Sequence, residues 1–306
     1  MKKRSVALIG ALVLILFCSL VVLIIAGAGA IYFFQRRAET NIMPTNEAWL
    51  DGGSSVGMPT LEPSPPNPVP QTPTVSTVPA APPQPVPNVD FNGIRFYLDP
   101  RLAQGVLPEL VSAAPGDPAQ SMAGEVHPEY TQFTFQGYVL SNTFHDPRLY
   151  VYPLGEYRAM DGAVDEIANR LSELLVKQPE QVEELPFLPL WNAGQVFHAQ
   201  VQYLDFKNGS GVRFLTQYAQ SFVVVNNTEL FYTFQGITAD GNWYIAAVLP
   251  VSHPSLPESW ESSQVEPTDA ERYYQQIGEQ LTAESGESFT PSLSLLDELI
   301  RSLSVK

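Results

Sequence analysis

Cysteine is all but missing from this chain. Cys18 is the single thiol among 306 residues. No intramolecular disulfide can form, and everything after residue 18 is without cysteine nucleophiles or cysteine metal sites. Positive charge is scarce as well. Sixteen Lys and Arg face thirty-two Asp and Glu. Residues 89–306 carry eleven Lys and Arg against twenty-eight Asp and Glu, a net charge of −17. Nucleic acid binding needs a basic surface, so this balance argues against it. It argues equally against docking of that region on anionic lipid. Solubility is the plain reading of such acidity. Histidine is limited to His127, His145, His198 and His253, with no i, i+4 pair and no H-E-x-x-H. The phosphate-cradling glycine motifs are absent too.

A long uncharged run is what the sequence does have. After Lys2, Lys3 and Arg4, residues 5–34 contain no charge. About 20 apolar residues span a bilayer core, so 5–34 is expected to be a transmembrane anchor. Arg36 and Arg37 follow it. The larger basic cluster precedes the run, which predicts a cytoplasmic stub at 1–4 and the rest outside. The rival is a cleaved signal peptide. Ala26, Ala28 and Ala30 offer the small-residue spacing of a cleavage site, and cleavage near Ala28 or Ala30 would make the protein secreted. The apolar run before them is longer than the ~7–15 residues usual there, which favours the anchor. Leu16 and Phe17 before Cys18 are too bulky for a lipidation site, so Cys18 reads as a helix residue.

Residues 35–88 are expected to be a disordered stalk. Twelve prolines fall between Pro59 and Pro87, among Thr, Ser, Val, Ala and Gln. Proline fixes φ and removes a donor, so this composition gives extended, semi-rigid chain. Gly53-Ser54-Ser55-Val56-Gly57 matches G-x-S-x-G. That pattern holds a nucleophile only between a strand and a helix, and neither is expected there.

Residues 89–306 read as one α+β domain, an antiparallel sheet with helices packed on it, an arrangement that includes the α/β/α sandwich. Aromatic and β-branched runs at 93–98, 132–140 and 148–152 predict strands. Val164, Ile167, Ala168, Leu171, Leu174 and Leu175 give 161–177 an apolar helical stripe that ends before Pro179. Strands at 195–206 and 211–219 flank Asn208-Gly209, and strands at 228–238 and 243–251 flank Asp240-Gly241, both hairpin signals. Phe197, Ala199, Val201 and Tyr203 alternate with polar residues and are expected on one buried face. Thr268-Asp269-Ala270-Glu271 predicts a capping box, and Thr290-Pro291 an N-cap with proline at the first helical position.

Chemistry-bearing residues form no recognisable constellation. His145-Asp146 and His253-Pro254 sit beside predicted strands and could meet; a triad with Ser252 or Ser255 has no geometric support in sequence. Carboxylates are plentiful, but no spacing singles out a glycosidase pair. The predicted catalytic, cofactor and metal sets are therefore empty. Two proline-broken apolar loops stand out, 185–191 (LPFLPLW) and 252–260 (SHPSLPESW). Exposed apolar loops mark interaction surfaces, and Phe187, Trp191, His253 and Trp260 are the candidates; loops lying flat over the sheet are the alternative.

The segments FNGIRFYL at 91–98, TFHDPRLYVY at 143–152, GVRFLTQYA at 211–219 and LFYTFQGITADGNWYIAAVLPVSHP at 230–254 carry a family resemblance. Together they resemble an uncharacterised group of membrane-anchored or lipoprotein-like extracytoplasmic domains of Chloroflexi-type bacteria. The element order is also similar to the PsbP-type fold, whose members serve mostly as accessory or assembly factors. Neither resemblance brings a site residue with it. The expected function is a noncatalytic binding or accessory module, tethered to the cell membrane and meeting an envelope protein or ligand outside it. A surface hydrolase using acidic or histidine residues is the alternative, and a structural envelope spacer is a third.

Overall fold

The computed structural model describes residues 86–262 and 269–306. The expectations for the stub, the anchor at 5–34, the stalk up to residue 85, the 53–57 motif and Cys18 lie outside the described residues. Among the described residues, no helix is long and apolar enough to cross a membrane.

Two tight turns set the register of the sheet. Lys207-Asn208 folds β6 (Gly194–Phe206) back on β7 (Gly209–Ala219), with Phe206 opposite Gly209. Gly209 is required there, because a Cβ would lie 2.4 Å from the Ile237 carbonyl oxygen. The second turn joins β8 (Phe231–Thr238) to β9 (Trp243–Pro250). Asp240 Oδ1 accepts from Thr238 Oγ1 at 2.6 Å and from the Asn242 amide at 3.1 Å, which closes that loop on itself. With β3 (Gly105–Val111), β4 (Tyr130–Gln136) and β5 (Arg148–Pro153), these form a seven-stranded antiparallel sheet in the order β3-β4-β5-β9-β8-β7-β6. A smaller sheet has the order β1-β2-β10, from β1 (Val89–Phe91), β2 (Ile94–Phe96) and β10 (Ser304–Val305).

Helices pack on both faces of the large sheet. The described residues include α1 (Leu154–Met160), α2 (Gly162–Lys177), α3 (Ala270–Ala283) and α4 (Leu293–Ser302). On the first face, Phe133, Leu149, Tyr232, Phe234, Ile245 and Leu249 pack with Leu281 of α3, Leu296 and Ile300 of α4, and Phe96 of the small sheet. On the second face, Tyr152, Phe214, Phe231, Tyr244 and Val248 meet Tyr157 of α1, Val164 and Leu171 of α2, and the loop residues Phe187 and Leu188. Burying each such side chain contributes ~2–3 kcal/mol of apolar transfer. Double coverage explains why LFYTFQG and WYIAAVLP are buried on nearly every residue.

The first face holds one charged network. Arg213 and Asp297 are both buried, and Arg213 Nε lies 3.3 Å from Asp297 Oδ1. The Tyr232 hydroxyl donates to the same carboxylate at 3.0 Å. Burial pushes the Asp297 carboxyl up, and Arg213 and the Tyr232 bond act against that.

Four sequence expectations are corrected. The alternation in β6 fails after Ala199, where a bulge inserts an extra residue against β7. Phe197 and Ala199 face the first layer, but Val201 and Tyr203 pack with the second. The helix expected from Thr268 begins at Ala270, and Asp269 caps it by accepting from the Arg272 amide. Thr290 bridges to Ser252 in β fashion, so α4 starts later, behind Ser292. Among the described strands and α-helices, β1, β3, β10 and α1 have no counterpart in the sequence reading. They are short or, in β3, carry Pro108 on an edge strand.

The bulge is put to use. Gln200 adopts a φ of 55°, and its side chain donates to the carbonyls of Leu281 at 2.9 Å and Glu284 at 2.7 Å. Both lie at the end of α3, where the Leu281 carbonyl otherwise accepts only from the Glu284 amide at 3.4 Å. Helix α3 crosses β6 closely: a Cβ at Gly278 would lie 2.9 Å from the His198 carbonyl oxygen.

Candidate functional site

One end of the second face carries an open aromatic cleft. The first residues of β5, the last of β7 and β9, and the loops before β5, β6 and β8 converge there. Phe144, His145, Arg148, Tyr150, Trp191, Tyr218, Glu229 and Val248 are among its walls, and it encloses about 730 Å³. That lies in the range of small-molecule sites, ~300–1,000 Å³. A smaller recess of about 210 Å³ adjoins it and shares Arg148, Tyr150 and Trp191; Tyr130, Tyr152 and Tyr157 continue the aromatic lining.

Trp191 is the hub of the wall. Its ring stacks on His145 with centroids 4.6 Å apart and planes 5° from parallel. Phe187 lies 4.8 Å away, and Tyr218 meets it edge-on at 5.2 Å. Such pairs add about 0.5–1.5 kcal/mol each beyond burial. The loop bearing Phe187 and Trp191 is held from below by an amide clamp. Gln235 Oε1 accepts from the Leu188 amide at 2.9 Å, and Gln235 Nε2 donates to the Leu188 carbonyl at 3.0 Å.

The polar groups are few and placed apart. Arg148 Nη2 donates to Asp146 Oδ2 at 2.6 Å. Glu229 Oε2 accepts from Gln217 Nε2 at 2.8 Å. Burial pushes the Glu229 carboxyl up, a bond from Asn226 lowers it, and nearby Glu261 raises it. His145 is pulled down to about 4 by burial, with Asp146 acting weakly against that. Its ring is therefore neutral near pH 7 and serves as an aromatic surface.

The four sequence candidates separate. Trp191 lies half-buried at the cleft rim, and Phe187, at 6% exposure, packs beneath it outside the lining. Much of that loop lies flat on the sheet, with residues 185–188 buried. Trp260 is 56% exposed, in a 3-10 turn at Trp260–Ser262. His253 is 3% exposed and packs against Phe289 of the first-face core, away from His145.

His253 sits in a polar line of its own. Ser288 Oγ donates to the Ser285 carbonyl at 2.6 Å, so toward His253 Nε2, 3.0 Å away, it accepts. That places the proton on Nε2 and leaves Nδ1 to accept from Ser255 Oγ at 2.7 Å and the Ser255 amide at 3.3 Å. Glu284 Oε2 lies 3.8 Å from Nε2. The Leu256 amide donates to the His253 carbonyl at 3.1 Å, which closes a turn over residues 253–256.

The remaining polar candidates have structural duties. Asp161 caps α2 through the Ala163 amide, Glu173 pairs with Lys177 and Glu184 with Arg170. Asn208 bonds the Val305 backbone in both directions, tying the chain end to a hairpin turn. No group of three or more His, Cys, Asp or Glu among the described residues is arranged to hold a metal ion. Sequence reasoning missed Arg148, Tyr150, Tyr218 and Glu229. The β7–β8 pairing brings the end of β7 and the start of β8 to one end of the sheet, and the β5–β9 pairing brings Arg148 and Tyr150 there; neither is marked by a hairpin signal. No family model, curated protein or solved structure matches the chain.

Proposed function

We propose that residues 89–306 are a noncatalytic binding or accessory module, held outside the cell membrane by the anchor at 5–34 and the stalk at 35–88. The observation that carries the reading is the aromatic cleft of about 730 Å³ with a few separated polar groups. The uncharged run and the prolines support the tether. Helices on both faces of the sheet support an α/β/α sandwich, the layering that the resemblance to the PsbP-type fold implies. The test is a fragment screen on the full chain, with affinities read by calorimetry. Hits that Trp191→Ala weakens about tenfold or more support the reading, since that is ~1.4 kcal/mol of lost contact. Hits indifferent to Trp191 and Tyr218 place binding elsewhere and reject it.

A hydrolase is the second reading, and one observation favours it: the Ser255–His253–Glu284 line at 2.7 and 3.8 Å. Hydrolysis of a model ester abolished by both Ser255→Ala and His253→Ala would replace the binding module with an enzyme.

A further inference from the structure

We infer that the cleft takes a small organic cation, an alkylammonium or quaternary ammonium group, with its charge toward Glu229 and its carbon framework on the aromatic wall. This rests on the reading of the cleft as a ligand site. The formal charges among the cleft's lining residues are Asp146, Arg148 and Glu229. Arg148 and Asp146 cancel each other across 2.6 Å. Glu229 is left over. It is half-buried, and among the described residues its carboxylate pairs with no cation. Its side-chain partners Gln217 and Asn226 are neutral amides. A carboxylate drawn partly out of water gains most from a counter-charge.

The rest of the wall matches that need. Trp191, Tyr218, Tyr150 and Phe144 are aromatic, and Phe144 is 72% exposed. Aromatic faces carry negative potential and attract ammonium groups, best where water is partly excluded. An anion would meet Glu229, nearby Glu261 and a domain of net charge −17. A neutral sugar would stack on the same rings and leave Glu229 uncompensated. The cation alone satisfies both features.

The test titrates the full chain with choline, with its uncharged isostere 3,3-dimethylbutan-1-ol and with cellobiose, by calorimetry. Choline is expected to bind saturably, and the isostere about tenfold or more weaker. Glu229→Gln keeps an acceptor for Gln217, so the fold stays intact by thermal melt while choline affinity falls about tenfold. Equal binding of choline and the isostere, or unchanged affinity in Glu229→Gln, overturns the cation and leaves a ligand cleft. Cellobiose binding without choline binding does the same. Binding of none of the three overturns the inference, and the cleft reading then stands or falls on the fragment screen.

Discussion

The two faces of the seven-stranded sheet bury similar residues and do different things. The first is closed by α3, α4 and the small sheet, and its polar groups are spent inward on the Arg213–Asp297–Tyr232 network. The second is closed by α1, α2 and one loop, which stop short of the end where Trp191, Tyr218 and Glu229 meet. A covering layer that runs the length of a sheet makes a core. One that ends early leaves aromatic side chains with room beside them, which is how a binding cleft arises without any special motif.

Breaking the first face has the largest expected effect. Asp297→Ala leaves Arg213 charged and buried with no counter-charge, held only by the Gln200 carbonyl and Gln202 Oε1, and about 3–5 kcal/mol of stability is expected to go. Replacing both, Arg213→Met with Asp297→Leu, should recover most of it. Chemical denaturation of the full chain measures both variants; an Asp297→Ala loss below about 1 kcal/mol would mean the pair is solvated rather than sealed.

Acid should discriminate the second face. Unfolded His145 takes its proton as pH falls through about 6.5, whereas the folded ring resists until about 4. Between those values the unfolded state binds more protons, so this contribution is fully present above about 6.5 and is lost on acidification. The difference is worth ~2–3 kcal/mol between pH 7 and 4.5. His145→Phe should flatten that part of the pH dependence by the same amount, read from denaturation midpoints at the two pH values. A slope identical in both proteins would show that His145 titrates freely.

The smallest effect belongs to the edge shared by the two faces. Gln200→Ala removes a side-chain donor from the Leu281 and Glu284 carbonyls, and a loss of about 1–2 kcal/mol is expected. Hydrogen exchange should rise in the last turn of α3 and stay unchanged in α2. Uniform exchange across both helices would deny the cap its local role.

The sequence carried the local parts of this fold and little of the site. Asn208-Gly209 and Asp240-Gly241 mark their turns because the chemistry is confined to neighbouring residues. The stripe from Val164 to Leu174 finds its face because helical period and burial agree. In β6 the same logic misled. Val201 and Tyr203 prolong an apolar alternation that the bulge at Gln200 redirects to the other layer, and the reason lies some eighty residues away at the end of α3. Trp191 was recognisable as an apolar loop residue. Its partners His145 and Tyr218 join it only through strand order, which no window of sequence contains.

The crossing at Gly278 has a consequence for copies of this protein crowded side by side. An edge strand is a template on which another chain can crystallise as a further strand. Here β6 is kinked at Gln200 and α3 lies against its His198 carbonyl, too near for even a methyl group on Gly278. At the opposite margin, β3 carries Pro108. Both margins are thus poor seeds, and a dense array of these domains would resist fusing into ribbons. Gly278→Val, by lifting α3 from that margin, is expected to leave the Gln200 kink as the one guard there and to raise light scattering at high concentration.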